Sequence, residues 1–224
     1  IDNWRLVQTA QLDPAARAAQ MPDSIVEETL EYIIAHEVGH TLGFMHNMAA
    51  SAAIPTDSLR SPTFTRKHGT TASIMDYARF NYVAQPSDSG VRLTPPRLGV
   101  YDFYAVEWAY RLFPGSKGYE DDAKQLRNLV DKHEGDPFYR YGLQQTNTRY
   151  DPSAIEEDLS NDPVKAGDYG MANLRFILSN LDHWISDEDG GKRKAELYNE
   201  ILQQAMRYVR HVFANVPGIY LYQT

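Results

Sequence analysis

The sequence feature that most constrains this chain is a group of three histidines and one glutamate between residues 36 and 46. The order is His36-Glu37-x-x-His40-x-x-Gly43-x-x-His46. Four residues turn an α-helix by about 400°, so His36 and His40 lie on one face. Gly43 can adopt a positive φ and leave the helix sharply, which brings His46 back toward the other two. The pattern therefore predicts a site where three imidazoles bind one metal ion.

The spacing also predicts which kind of metal site this is. Three protein ligands leave the fourth position of a zinc ion for water, which is typical of catalytic zinc. Glu37 follows His36 directly, where its carboxylate can contact that water as a general base without binding the metal. The alternative is a hydrogen-bonded histidine cluster on a core helix. Burying these polar groups without a metal is costly, so the pattern favours one catalytic Zn²⁺.

Composition narrows the function classes. The chain has 224 residues, with 22 Lys and Arg against 30 Asp and Glu, and a net charge of −8. No clustered basic face is visible, which argues against a nucleic-acid partner. The absence of cysteine excludes disulfides, cysteine-ligated zinc and thiol catalysis, so histidines and carboxylates remain as strong metal ligands. No apolar run approaches the roughly 20 residues that a membrane helix needs.

Hydrophobic periodicity predicts a mainly α fold. A capping box at Ser24 and Glu27 and apolar residues at helical spacing predict a helix that ends at Gly43. Residues 47–99 show few periodic signals and are expected to form a long irregular segment. Four further helices are expected at 101–112, 119–133, 171–185 and 197–213. The short Asp189-Gly190-Gly191 connection predicts that the last two are antiparallel neighbours.

The sequence also predicts two short strands and a division of the chain into two parts. Alternating apolar residues favour strands at Trp4–Thr9 and Gly218–Gln223. The acidic run 156–158 is interpreted as solvated surface, because it lacks the spacing of a calcium loop. We expect a catalytic part over 1–114 and a helical subdomain over 115–224 with no chemistry of its own.

A second motif allows a family to be suggested. Ser73-Ile74-Met75-Asp76-Tyr77 lies 29 residues after His46. Together with the histidine pattern, it resembles the metzincins, zinc metallopeptidases with a methionine-containing turn beneath the zinc. The resemblance implies that Met75 packs under the histidines and that Tyr77 reaches the metal or the developing oxyanion.

Other segments extend the resemblance. Residues 101–110 are similar to the helix that closes a metzincin catalytic domain, and the first half is most similar to the metzincin-like domain of large exported bacterial metalloproteases. Asn47 and Asp76 lie next to the predicted chemistry. They could orient a ligand or brace the turn from outside the ligand set, and local turn hydrogen bonding explains them equally well.

The resemblance also implies an α+β catalytic domain in the full protein, with an N-terminal lobe before the zinc helix. Only 35 residues precede His36, so we expect that lobe to be missing from this chain. The implied activity is zinc-dependent hydrolysis of a protein or peptide substrate by an exported endopeptidase. Two alternatives stay open: a silent module that binds peptide or glycan, and a zinc hydrolase of non-peptide amides. The intact Glu37 argues against the silent module.

Overall fold

The computed structural model describes residues 2–18, 20–94, 97–147, 149–186 and 189–221. Within these ranges the chain is mainly α, with no strand. The five helices that were predicted agree in their bounds to within about five residues, apart from the sixth helix, which begins earlier than expected. The third helix lies inside the segment 47–99, so the expectation that this whole segment is irregular is wrong. The helices are α1 (Asp2–Thr9), α2 (Asp23–Thr41), α3 (Pro62–His68), α4 (Val100–Tyr110), α5 (Tyr119–Asp131), α6 (Pro163–Trp184) and α7 (Lys192–Phe213). None of them is both long and apolar enough to cross a membrane.

The two longest helices, α6 and α7, form an antiparallel pair, as predicted. Asp182 of α6 pairs with Lys194 of α7 at 3.3 Å, near the connection. At the opposite end, Gly170 of α6 lies so close to α7 that a Cβ there would be 2.5 Å from the Tyr208 ring. Small residues on α6 therefore let the aromatic ring of α7 pack against the helix backbone.

The predicted strand at Trp4–Thr9 is wrong, because these residues belong to α1. Leu6, Val7 and Ala10 are each at most 1% exposed and pack with the apolar faces of α6 and α7. Their spacing of one, three and four residues suits a helix packed on one side, and tertiary packing overrides the alternation seen in the sequence. Residues 218–221 of the second predicted strand are not a strand either, and the rest of it lies outside the described residues.

The largest apolar core unites segments that are distant in the sequence. It joins α1, α6 and α7 to residues of the irregular segment, among them Ile54, Leu59, Tyr82 and Val83. Asn173 of α6 fixes that segment further by donating to the carbonyls of Tyr82 and Ala84, both at 2.9 Å. The core thus contains residues from both sides of position 115, and the boundary proposed there stays a prediction.

Helix α2 does not bury the face that its apolar residues predict. Only Thr29, His36 and Gly39 are buried, whereas Leu30, Ile34 and Val38 are 50%, 60% and 49% exposed. The predicted capping box is also wrong, since Pro22 precedes α2 and no side chain caps it. The inward face of α2 is thus its histidine face, which positions the site.

Candidate metal centre

The end of α2 is shaped by Gly43. Its φ is +87°, a conformation that glycine adopts without steric cost. The Phe44 N–H donates to the Gly39 carbonyl at 3.1 Å and the Gly43 N–H donates to the His40 carbonyl at 2.9 Å. This pair of bonds is the Schellman arrangement that closes a helix and reverses the chain. The reversal directs His46 toward the two histidines of α2.

The three histidines converge through their Nε2 atoms. The Nε2 atoms of His40 and His46 are 3.1 Å apart, and those of His46 and His36 are 3.2 Å apart. Three nitrogens that surround zinc tetrahedrally at about 2.05 Å would be about 3.3 Å from one another. These three residues are also the group of His, Cys, Asp and Glu in the described chain whose ligand atoms are close enough to hold a metal ion.

The opposite ring nitrogens determine what the converging atoms can do. His36 Nδ1 donates to the Ile74 carbonyl at 2.8 Å, and His40 Nδ1 donates to the Phe44 carbonyl at 2.8 Å. His46 Nδ1 donates to the amide oxygen of Gln144 at 2.7 Å. Since a neutral imidazole carries one N–H, each Nε2 then presents a lone pair to the others. Three lone pairs at this separation fit a cation between them, and the donor set suits zinc.

Met75 lies against α2 at the level of the histidines. The side chain is 3% exposed, and its sulfur fills the place that a Cβ on Gly39 would occupy, at 2.4 Å. Any side chain at position 39 would therefore displace the sulfur. Gly39 was not among the residues predicted from the sequence to belong to the site. Its signal was a glycine in the interior of an otherwise good helix, where glycine costs about 1 kcal/mol relative to alanine unless close packing requires it.

Tyr77 packs beside two of the three histidines, and Glu37 lies in the same neighbourhood. The Tyr77 ring centroid is 5.6 Å from that of His36 and 4.5 Å from that of His46. Burial raises the pKa of the Tyr77 hydroxyl, and the charge of Glu37 raises it further. Glu37 is exposed and is not part of the metal-binding group. Tyr77 therefore packs against the triad, and Glu37 is near enough for its charge to act on both Tyr77 and His46.

A comparison with known protein families decides the classification. A family model described as Met-zincin matches residues 18–224. This chain belongs to the Met-zincin family. Comparisons with curated proteins and with solved structures gave no match. Membership indicates a scaffold of the zinc metallopeptidase type, and the histidine triad of this Met-zincin provides the matching donor set.

Asn47 ties the third histidine of the Met-zincin to the rest of the molecule. It is fully buried, and its N–H donates to the Met75 carbonyl at 3.1 Å. Its amide donates to the Arg140 carbonyl at 3.0 Å and accepts from the Gly142 N–H at 2.9 Å. Asn47 therefore joins the methionine turn to residues of the second half, far beyond its own turn.

Asp102, at the start of α4, holds the methionine turn in place. Its carboxylate accepts from the Ser73 hydroxyl at 2.6 Å and from the N–H groups of Ile74 and Gly99 at 2.9 and 2.6 Å. The Ile74 carbonyl accepts the hydrogen bond from His36 Nδ1. Asp102 therefore positions His36 through one intermediate residue, Ile74. The sequence placed Asp102 on a helix similar to one in metzincins but gave it no role, because its partners in the methionine turn, Ser73 and Ile74, are 29 and 28 residues away.

A buried acidic pair lies behind the methionine turn. Asp76 is fully buried and accepts from the Ser51 N–H at 2.6 Å, while the Ser51 hydroxyl donates to Asp158 at 3.2 Å. Burial raises the pKa of both carboxyls, that of Asp158 to about 8. The interpretation of residues 156–158 as solvated surface is therefore wrong for Asp158, which is 3% exposed. Three consecutive acids resemble surface in a sequence, and nothing local indicates that the last one turns inward.

Gln144 brings the second half of the chain into the site. Its amide oxygen accepts from His46, and its amide nitrogen donates to Glu156 at 3.3 Å. An oxygen-bearing partner that orients a ligating histidine strengthens metal binding in zinc sites generally. The second half was expected to contain no chemistry of its own, and that stays a prediction; Gln144 shows that this half contributes a hydrogen bond to a candidate ligand. A lone glutamine in a loop offers no sequence signal for such a role.

Proposed function

We propose that this Met-zincin is a zinc-dependent endopeptidase that hydrolyses peptide bonds of a protein or peptide substrate. The observation that carries the proposal is the convergence of three Nε2 lone pairs with Glu37 and Tyr77 beside them. His36, His40 and His46 would hold the ion. When bound, zinc acts as a Lewis acid that polarises a carbonyl and makes water acidic enough to attack at neutral pH.

The roles of the two flanking residues follow from their chemistry. Glu37 takes the proton from the attacking water and delivers it to the leaving amine, as a general base and then an acid. Tyr77 donates its hydroxyl proton as a hydrogen bond to the carbonyl oxygen as negative charge develops there. The packing of the Tyr77 ring against the rings of His36 and His46 supports this role, because it keeps the residue beside the ion that they would hold. Export of the protein stays a prediction from the family resemblance.

The test is peptide hydrolysis by the purified protein and by the Glu37→Gln variant. We expect Glu37→Gln to keep its zinc and lose about 10²- to 10⁴-fold in kcat, because only proton transfer is removed. Glu31→Gln, on an exposed position of the same helix, is the matched control and should retain activity. Full hydrolysis by Glu37→Gln would refute the mechanism. A wild-type protein that binds zinc and peptide but cleaves neither peptides nor other amides would favour the silent binding module.

A further inference from the structure

A cavity adjoins the metal centre. It has a volume of about 380 Å³ and lies between the methionine turn and helix α7. Tyr77 and Gln144 form its wall on the side of the histidines, and both contact His46. If a peptide binds in front of the triad, a side chain next to the bond that is cleaved can therefore reach into this cavity.

The cavity is cationic although the protein is acidic. Four arginines line it against two glutamates, in a chain whose net charge is −8. His211, also in the lining, adds no charge at neutral pH, because burial and the neighbouring Arg207 lower its pKa to about 4. The lining thus carries two more positive than negative charges.

Three of the arginines are already paired. Glu157 accepts from Arg79 Nε at 2.9 Å and from Arg207 Nε at 2.7 Å. Glu156 pairs with Arg149 and also accepts from Gln144. These pairs hold the guanidinium groups around the cavity, and both of its carboxylates are already paired with arginines.

Arg210 differs from the other three arginines. It is exposed on the last turn of α7 and forms no ion pair within the described part of the chain. A guanidinium offers five N–H donors in a fork that matches a carboxylate, and Arg is well suited to bidentate recognition of that group. Arg149, which is half exposed, presents further donors to the same space.

We propose that this cavity is a specificity subsite that binds a carboxylate of the peptide substrate, with Arg210 as its principal ligand. The proposal rests on the proposed peptidase function and names the substrate class for it: peptides with an acidic group next to the bond that is cleaved. The carboxylate has two sources, an Asp or Glu side chain and the C-terminus of a peptide. Both are the same chemical group, and the experiment below separates them.

The test measures binding without turnover. Fluorescence anisotropy of labelled peptides is recorded with the zinc-loaded Glu37→Gln protein. One peptide set carries Asp or Glu and an amidated C-terminus, a second carries Asn or Gln with the same amide, and a third carries Asn or Gln with a free C-terminus. We expect a set with a carboxylate to bind about tenfold more tightly than the neutral set. Preference for the first set identifies a side chain as the source and agrees with an endopeptidase. Preference for the third set identifies the C-terminus, which would keep the subsite but replace the endopeptidase by an enzyme that removes C-terminal residues.

Matched variants connect the preference to the cavity. Arg210→Gln should remove the tenfold preference and leave binding of the neutral peptides unchanged, and Arg210→Lys should restore part of it. Arg175→Gln, an exposed arginine of α6 outside the cavity, should behave as wild type. Thermal unfolding confirms that each variant is folded. Equal binding of all three sets, or an Arg210→Gln effect of the same size on each, would overturn the proposal. Because no turnover is measured, a preference in a protein that never cleaves would refute the peptidase and leave the subsite standing.

Discussion

The α6–α7 pair and the metal centre are both well packed, but different forces hold them together. Leu174, Ile177, Leu197 and Ile201 are at most 5% exposed and stabilise the helix pair by excluding water. The metal centre is instead surrounded by buried hydrogen bonds, in which single side chains such as Asn47 and Asp102 each join two segments that are distant in the sequence.

This difference has a physical meaning. Apolar burial is roughly proportional to area and has no direction, so it fixes which faces meet but leaves some freedom in angle. A hydrogen bond fixes distance and angle, and the three imidazoles need both to present Nε2 to one ion. The comparison predicts that damage to the apolar core costs stability alone, whereas damage to the polar framework also costs metal affinity.

The largest effect is expected from Asp102→Ala. The change leaves the N–H groups of Ile74 and Gly99 and the Ser73 hydroxyl without their acceptor, and each such loss costs about 1–3 kcal/mol. We expect about 4 kcal/mol less stability to urea and about 10- to 100-fold weaker zinc binding, since Ile74 orients His36. Asp102→Asn keeps one acceptor oxygen and should lose less. An unchanged zinc affinity in folded Asp102→Ala would contradict the separation of the two regions.

Ile177→Ala tests the other region. Ile177 is fully buried between α6 and α7, and truncating such a residue to alanine costs about 2–5 kcal/mol. The zinc affinity of the folded variant should be that of wild type. Ile34→Ala is the matched control, because Ile34 lies on α2 beside the site but is 60% exposed, and it should cost less than about 1 kcal/mol. A weakened zinc site in Ile177→Ala would show that the apolar core also positions the histidines.

A third test concerns the buried acidic pair and uses the dependence of stability on pH. Asp158 has a pKa of about 8 in the folded chain, above its unfolded value of about 4, so the folded state holds the extra proton in that interval. This group therefore makes stability fall as pH rises from about 4 to about 8. Urea unfolding at pH 5, 6, 7 and 8 should give a flatter profile for Asp158→Asn, with Asp76 retaining part of the slope. Parallel profiles would place Asp158 in a more solvated environment.

The same contrast explains how much the sequence predicts. Helical periodicity located α2, α4, α5, α6 and α7 because the apolar pattern of a helix is local. The histidine spacing located the candidate metal ligands for the same reason, since His36, His40 and His46 lie close together in one short segment. The strand predicted at Trp4–Thr9 is wrong for the opposite reason. The conformation of these residues depends on packing against helices that follow more than 150 residues later.

The polar framework was not predicted because its partners are not local. Gln144 bonds a histidine 98 positions away, and Asn47 bonds the backbone 93 and 95 positions away. No spacing rule relates such residues. Gly39 is the exception, since a glycine in a helix interior signals a close approach even when the approaching group, here Met75, is unknown.

Zinc titration of the protein, by calorimetry or by competition with a chromogenic chelator, tests the central claim most directly. The account predicts one zinc ion per chain, and a large loss of affinity when His36, His40 or His46 is replaced by alanine, because all three Nε2 atoms face the same point. His183→Ala, a histidine of α6 outside the site, serves as the control and should bind as wild type. Absence of zinc binding, or full affinity in His46→Ala, would contradict the account.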